Sequence, residues 1–267
     1  MKLQILVTTM YAADFSKVEA MDLRDVDVVI ANQTDRCAYE EKDFPERNVH
    51  AVMVSTNTRG AGLNRNIALS YAAGDILLFA DDDMFFPKGS TAEIIKEFSD
   101  HPQADVIKFY CEGLDSAHPL SFKRPASFQK AKLRTLMSAG APAVAVRREK
   151  LEKHDILFPT GIGPGRYYYC GEDSVFLKRM IQSKMQVYLS PVLAAYVNNA
   201  AEDSTWFNGY DAHYFETVGY VYAKLYGRLA PLVALRRALK SAKAPEISYS
   251  RKEMYGMMAR GIQNYRT

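Results

Sequence analysis

A short apolar stretch that ends in three consecutive aspartates constrains this chain more than any other feature. Residues 76–80 are apolar and of strand length, and Asp81, Asp82 and Asp83 follow them directly. Three adjacent carboxylates repel one another, and a bound Mg²⁺ or Mn²⁺ would relieve this repulsion because both cations accept oxygen ligands. Alternate residues of an extended segment share a side, so we expect Asp81 and Asp83 to act together while Asp82 points elsewhere. The simpler interpretation is an acidic turn after a strand. The surrounding sequence is needed to distinguish such a turn from a cation-binding site.

The segments before the aspartates alternate between strand and helix patterns. Three predicted strands and two predicted helices lie at residues 3–7, 14–21, 26–31, 49–55 and 63–73,. Gly74 is predicted to cap the second helix. The alternation favours an α/β fold with a mostly parallel sheet and helices on both faces, in which ligands bind at the carboxyl ends of the strands. The polar residues expected to converge there are Thr8, Asn32, Asp35, Arg65 and the three aspartates.

A second acidic motif lies about ninety residues downstream. Between the two motifs, the sequence predicts a helix at residues 91–98 and strands at 104–111 and 141–146, with no regular pattern at 112–132,. Gly171, Glu172 and Asp173 then open a predicted amphipathic helix on which Asp173 shares the inward face,. A carboxylate held at a helix start can act as a general base. Acidic residues in the first turn also stabilise a helix by interacting with its dipole, so this motif alone does not distinguish a catalytic role from a structural one.

Composition and charge limit the remaining classes. The chain has 267 residues, 48% of them apolar, and its net charge of +3 is unevenly distributed. Residues 1–222 hold 24 Lys and Arg against 29 Asp and Glu, whereas residues 223–267 hold 10 against 2. Three widely spaced cysteines indicate neither a disulfide framework nor a cysteine metal site. The first residues turn polar too early for a signal peptide, so we expect a cytoplasmic protein, or one at the inner face of the membrane.

The basic C-terminal region is predicted to be helical. Residues 214–225 have helical spacing with Gly227 at their end, and a second helix from about 231 to 240 sets leucines among Arg236, Arg237 and Lys240,. Residues 228–243 could contact an anionic membrane or pack on the domain with a solvated basic face. Nucleic-acid binding is less favoured because no nucleic-acid motif is present. We expect a catalytic domain over residues 1–200 and a helical, basic extension over 201–267 packed on its core.

Taken in order, these segments resemble glycosyltransferases of family 2, which have the GT-A fold. The resemblance covers roughly residues 1–195 and rests on five segments: residues 3–9, Asp35, residues 62–66, residues 74–83 and residues 171–173,. It implies an inverting transfer from a nucleotide-sugar donor, favoured to be a UDP-sugar, to a hydroxyl of a glycan or polyprenyl-linked acceptor. Bacterial surface polysaccharide synthesis is the setting that the resemblance suggests.

The resemblance also assigns roles to individual residues. Asp83 and Asp81 would bind Mn²⁺ or Mg²⁺, and Asp173 would be the general base. The residues implied to bind the nucleotide sugar are Thr8, Asp35, Arg65, Asn66, Asp81 and Asp82. Those expected on the acceptor side are Glu172, Tyr169 and Trp206.

Departures from the family pattern keep other functions open. Family members often carry a metal-binding His after the strand that follows the catalytic helix, and here residues 187–197 lead to Asn198 instead. His213 lies farther on among aromatic residues and is more readily explained by packing. A non-catalytic sugar-nucleotide-binding protein of the same fold is the main alternative. A haloacid-dehalogenase-like phosphatase is disfavoured by Met84 and by the position of the acidic motif, and a nucleotidyltransferase by the missing Gly-rich, Lys-containing loop near the N-terminus,.

Overall fold

The fold alternates strands and helices and ends in three consecutive helices. A computed structural model describes residues 1–117, 120–136, 139–198, 209–241 and 246–266. The strands are β1 (Leu3–Met10), β2 (Asp27–Gln33), β3 (Ala38–Phe44), β4 (Val49–Thr56), β5 (Ile76–Asp81), β6 (Met84–Phe85), β7 (Val106–Gly113), β8 (Gln129–Lys130), β9 (Val144–Arg147) and β10 (Val187–Val197). The helices are α1 (Ser16–Ala20), α2 (Ala61–Ser70), α3 (Ser90–Asp100), α4 (Leu133–Leu136), α5 (Arg148–His154), α6 (Glu172–Gln182), α7 (Ala212–Tyr226), α8 (Ala230–Ser241) and α9 (Arg251–Arg266).

One sheet runs through the molecule in the order β3-β4-β2-β1-β5-β9-β7-β10-β6, with β8 paired to β10. The four strands β4, β2, β1 and β5 are parallel to one another, and β7 is parallel to β10. The pairs made by β3, β6, β8 and β9 are antiparallel. The parallel strands bring Thr8 level with Asp81 and Met10 level with Gln33, so their carboxyl ends meet at one edge.

Helices cover both faces of the sheet, as the sequence predicts. On one face, Ile5 and Val28 of the strands pack with Phe98 of α3 in the larger core. On the other face, Leu6 and Phe79 pack with residues of α2, α5 and α6. Alternate residues of β1 therefore enter different cores, which is the pattern of a strand buried on both sides.

The sheet ends at β3, a strand that the sequence analysis does not anticipate. It pairs antiparallel with β4, from Ala38 opposite Ser55 to Phe44 opposite Val49. The five residues between its ends, Tyr39 to Asp43, are exposed. Charged residues on both sides of this strand hide the alternating pattern by which strands are usually recognised.

Several predicted boundaries differ from the structure by a few residues, and two of the differences have a clear local cause. Helix α2 ends at Ser70, not at Gly74, whose backbone N–H instead donates to Oε1 of Gln4 at 3.0 Å. A Cβ on Gly74 would lie 2.7 Å from Cβ of Gln4, so the glycine permits close packing there. The strand predicted at residues 141–146 begins only at Val144, because Ala143 has a left-handed φ of 55°,.

The last three helices form a hydrophobic cluster of their own. Phe215 of α7, Ala234 of α8 and Met258 of α9 belong to it. A smaller cluster connects α7 to the sheet-bearing part through Val221, which packs with Ile162 and with Val175 of α6. The division into residues 1–200 and 201–267 stays a prediction. In the part of the chain that the structure describes, no helix combines the length and apolarity needed to cross a bilayer.

Candidate active site

The two acidic motifs meet at the carboxyl edge of the parallel strands. Asp81 ends β5 beside Thr8 of β1, whose Oγ1 donates to Oδ1 of Asp81 at 3.1 Å. Glu172 and Asp173 form the first turn of α6, which starts after Gly171 and packs on the same face as α2. The register of β1 and β5 thus positions one motif, and the packing of α6 positions the other.

Arg65 of α2 joins the two motifs. Its Nη2 donates to Oδ1 of Asp81 at 3.1 Å, and its Nη1 donates to Oε1 of Glu172 at 3.1 Å and to Oδ1 of Asp173 at 2.7 Å. The guanidinium is rigid and planar, so these contacts fix the relative positions of three carboxylates. The family resemblance implies a nucleotide-binding role for Arg65, which stays a prediction, and in the structure its guanidinium lies among the acidic side chains.

Aromatic packing supports this arginine from below. The guanidinium lies over the Phe158 ring, with 5.4 Å between its Cζ and the ring centroid. Phe158 stacks on Phe176 of α6 at 3.6 Å and meets Phe79 of β5 edge-on at 5.2 Å. All three rings are buried, so β5, α6 and the segment before α6 are held together directly beneath the charged cluster.

Burial and charge set the electrostatics of the cluster. Burial opposes the charge of Arg65, but Asp173, Asp81 and Glu172 outweigh it and raise the pKa of Arg65 above its usual range. Burial raises the pKa of Glu172 to about 8, and the Asp173 carboxylate adds to this rise while Arg65 opposes it. The Glu172 side chain is only 7% exposed, whereas that of Asp173 is 20% exposed. Asp173 is therefore the more accessible carboxylate of this pair.

A backbone amide and a buried lysine complete the surroundings of Asp173. The N–H of Ala141 donates to Oδ2 of Asp173 at 2.9 Å. The next residue, Pro142, accepts a hydrogen bond from Nζ of Lys108, a side chain of β7 that is almost completely buried. Burial lowers the pKa of Lys108, and Cys111, Asp173 and Asp81 partly offset that effect. Lys108 thus stabilises the loop that holds Asp173.

The side chains of Asp81 and Asp82 have different partners, as predicted. Asp81 faces Thr8 and Arg65, whereas Oδ2 of Asp82 accepts from Oγ1 of Thr9 at 2.5 Å and pairs with Nζ of Lys17 at 2.8 Å. Asp83 is exposed, and its carbonyl accepts from the backbone N–H of Asn198.

These oxygen donors fit a hard divalent cation. Among the described residues, no group of three His, Cys, Asp or Glu side chains is arranged to hold a metal ion. Mg²⁺ commonly uses one or two protein carboxylates and takes its other ligands from substrate phosphates and water. Asp81 and Asp83 supply two carboxylates of the kind that such a site uses,.

Asp35 belongs to a separate polar group at the ends of β1, β2 and β4. Its Oδ1 accepts from Nη2 of Arg59 at 2.6 Å, and the same nitrogen donates to the Tyr11 hydroxyl at 2.9 Å. Nη1 of Arg59 donates to the Thr34 carbonyl at 2.9 Å. Arg59 and Tyr11 are missed by the sequence analysis, because isolated loop residues carry no pattern.

The remaining predicted residues lie outside the carboxylate cluster. The Asn66 amide exchanges two hydrogen bonds with the backbone of Phe158, at 3.0 Å and 2.9 Å. Tyr169 packs near His213, with 5.2 Å between ring centroids, and burial raises its pKa. His213 also bonds the Tyr167 carbonyl at 2.7 Å, in agreement with a packing role. Trp206 lies outside the described residues.

The mixed α/β sheet, with both acidic motifs at the carboxyl edge of its parallel strands, agrees with the fold class that the sequence predicts. The family model "Glycosyl transferase family 2" matches residues 20–154, just over half of the chain. The chain belongs to glycosyltransferase family 2, and its fold is GT-A.

Similar proteins come from Staphylococcus aureus. The chain is 29% identical over 156 residues to poly(ribitol-phosphate) beta-N-acetylglucosaminyltransferase TarS of strain Mu50 and, equally, of strain MW2. That alignment covers 58% of this chain but only 26% of those relatives. The structure of S. aureus TarS 1–349 in complex with UDP-GlcNAc has a TM-score of 0.65 at 16% identity and covers 100% of this chain and 92% of that one. This second likeness concerns the fold alone.

Proposed function

We propose that this protein is an inverting glycosyltransferase that moves a sugar from a UDP-sugar to a hydroxyl of a glycan or lipid-linked acceptor. The observation that carries the proposal is Arg65, which binds Asp81 of one motif and Asp173 of the other. A displacement needs one group on the leaving side of the sugar and another on the attacking side. In this proposal Asp81 lies on the leaving side and Asp173 on the attacking side, and Arg65 fixes the distance between them.

Asp173 is the proposed general base. Its two oxygens accept hydrogen bonds from Arg65 and Ala141, which hold the carboxylate in one orientation. It would take the proton of the acceptor hydroxyl as that oxygen attacks the anomeric carbon of the donor, while the bond to the nucleoside diphosphate breaks. Glu172 is less suited to this role because it is buried and its raised pKa favours the protonated form.

Asp81 and Asp83 are proposed to hold Mg²⁺ or Mn²⁺ at the departing diphosphate. Such a cation, when bound, supplies positive charge that stabilises the leaving group. Thr8, Asp35 and Asp82 lie at the ends of β1, β2 and β5, where a nucleotide sugar would bind in a fold of this kind,. The choice of a UDP-sugar follows the TarS complex with UDP-GlcNAc. Synthesis of a bacterial surface polysaccharide, by analogy with poly(ribitol-phosphate) glycosylation by TarS, is the proposed setting.

Nucleotide binding tests the first half of the proposal. We would measure thermal unfolding with UDP, GDP, CDP or dTDP, each with and without Mn²⁺. A ligand at about one hundred times its Kd stabilises the native state by about 2.7 kcal/mol, which raises Tm by roughly 5 °C or more in a chain of this size. We expect this rise with UDP and Mn²⁺, and its loss in Asp83→Asn. Asp155→Asn, which alters an exposed carboxylate at the end of α5, is the matched control.

Turnover tests the second half. UDP release from UDP-GlcNAc would be followed with a panel of hydroxyl acceptors, for the native chain and for Asp173→Asn. Loss of a general base costs about 10²- to 10⁴-fold in rate. We expect that loss together with an unchanged nucleotide-induced rise in Tm. Nucleotide binding without any turnover would identify a non-catalytic binding protein, and the absence of nucleotide binding would remove the proposal altogether.

A further inference from the structure

Helix α8 buries its small residues and exposes its large ones. Ala230, Ala234 and Ala238 are completely buried against α7 and α9. On the opposite side, the leucines of α8 and of the turn before it are exposed by 60% at Leu229, 65% at Leu232, 46% at Leu235 and 47% at Leu239. A helix that only packs on its own domain buries the leucines and exposes the smaller residues. The apolar face of α8 therefore points away from the protein.

Cations surround these leucines. Arg228, Arg236 and Lys240 are exposed, and none of them forms an ion pair within the described residues. Arg237, in contrast, is turned inward and donates from Nη2 to the Tyr214 hydroxyl at 3.1 Å. We call the four exposed leucines with these three exposed cations the leucine–cation face. The helix has no acidic residue to balance its charge.

The charge of this face argues against a second copy of the chain as its partner. A symmetric dimer through α8 would bring the cations Arg228, Arg236 and Lys240 of one copy close to the cations of the other. Like charges in a desolvated interface cost free energy, and no carboxylate of α8 is present to relieve them,. The face instead needs a partner that is apolar in its interior and anionic at its surface.

We propose that the leucine–cation face docks on an anionic lipid bilayer. The helix would lie in the plane of the membrane, with Leu229, Leu232, Leu235 and Leu239 at the boundary between headgroups and acyl chains. The long side chains of Arg228, Arg236 and Lys240 would reach the lipid phosphates. Reversible membrane binding needs both apolar insertion and electrostatic attraction to anionic lipids. The four leucines would provide the first and the three cations the second. The proposal does not depend on catalysis or on the identity of the donor.

Vesicle co-sedimentation of the full chain, without nucleotide, tests this proposal. The vesicles would be phosphatidylcholine alone, or phosphatidylcholine and phosphatidylglycerol in equal parts, at low and high ionic strength. We expect binding only to the anionic vesicles, weakened by salt. Replacing Arg236 and Lys240 by Gln should weaken binding about fivefold for each cation removed.

Leucine variants separate docking from simple charge attraction. Leu232, Leu235 and Leu239 are largely or half exposed, so changing all three to Ser should lower Tm only slightly, through helix propensity and partial burial, while weakening vesicle binding at least about tenfold,. Leu114→Ser, which alters a leucine exposed by 63% elsewhere on the chain, should bind like the native protein. Equal vesicle binding by the triple variant and the native chain would overturn the proposal. So would failure of the native chain to bind anionic vesicles at low salt, or a dimer that the triple variant abolishes.

Discussion

Nη1 of Arg65 and Oδ1 of Asp173 lie 2.7 Å apart, although 108 residues separate them in the sequence. The same guanidinium reaches Asp81 with its other terminal nitrogen. One side chain therefore determines how the end of β5 and the start of α6 are placed relative to each other.

Replacing Arg65 should destabilise the fold as well as the site. Arg65→Met leaves three carboxylates without their buried cation, and loss of one partner of such a group costs about 3–5 kcal/mol. Arg65→Lys keeps the charge but not the planar fork, so its cost should be intermediate. Urea unfolding would measure both. Arg179→Met, which removes an exposed arginine bonded to the Leu157 carbonyl, is the control. Equal losses in Arg65→Met and Arg179→Met would contradict the prediction.

The raised pKa of Glu172 predicts a specific dependence of stability on pH. Its pKa lies at about 8 in the folded chain and near the ordinary value of 4.5 when unfolded, so the folded state binds more protons between these values. The free energy of unfolding should therefore fall as pH rises through this window. Glu172→Gln should remove that decrease, whereas Glu149→Gln, at a side chain 73% exposed, should preserve it. Urea unfolding at about pH 5 and about pH 8, with a chelator present, would measure this. Identical pH profiles for the native chain and Glu172→Gln would argue against it.

Gly163 should tolerate no side chain because it packs directly against Glu172. It has a φ of +106°, and a Cβ there would lie 2.8 Å from Cδ of Glu172. Gly163→Ala should thus cost about 1–3 kcal/mol through backbone strain and overpacking. Gly161→Ala is the matched control, because a Cβ added at that glycine would meet no other atom within 4 Å. Denaturant unfolding of both variants would show the difference, and equal stability would refute the packing argument.

Lys108 should matter more for the proposed transfer than for stability. Lys108→Met removes a charge whose burial opposes folding, and the loss of its hydrogen bond acts in the opposite direction, so we expect the free energy of unfolding to change by less than about 1 kcal/mol,. It also removes the hydrogen bond to Pro142, next to the residue whose N–H holds Asp173. The loosened loop should lower kcat by about tenfold or more while KM for the donor stays the same. A proportional loss of stability and kcat would indicate a merely structural role.

The buried parallel strands and the acidic motifs could be predicted from the sequence, but the exposed strand β3 and the contacts between the motifs could not. Residues 76–80 form an unbroken apolar run, and such runs identify strands buried on both faces,. The link from Arg65 to Asp173 depends on how α2 and α6 pack, which no local pattern encodes. The hydrogen bond from Ala141 to Asp173 could not be predicted either, because every residue except proline has a backbone N–H and the residue type therefore gives no signal,. For Lys108, the sequence offers one sign of a special role: it is a charged residue within the otherwise apolar or aromatic run at residues 106–111.

The charged strand β3 has a consequence for how these molecules behave when crowded together. Its outer edge carries backbone groups that could pair with a strand of another molecule, as happens in edge-to-edge aggregation. Glu40, Glu41, Lys42 and Asp43 all lie exposed along it. Pairing there would strip water from four consecutive charges, so this end of the sheet is protected against growth into fibrous assemblies.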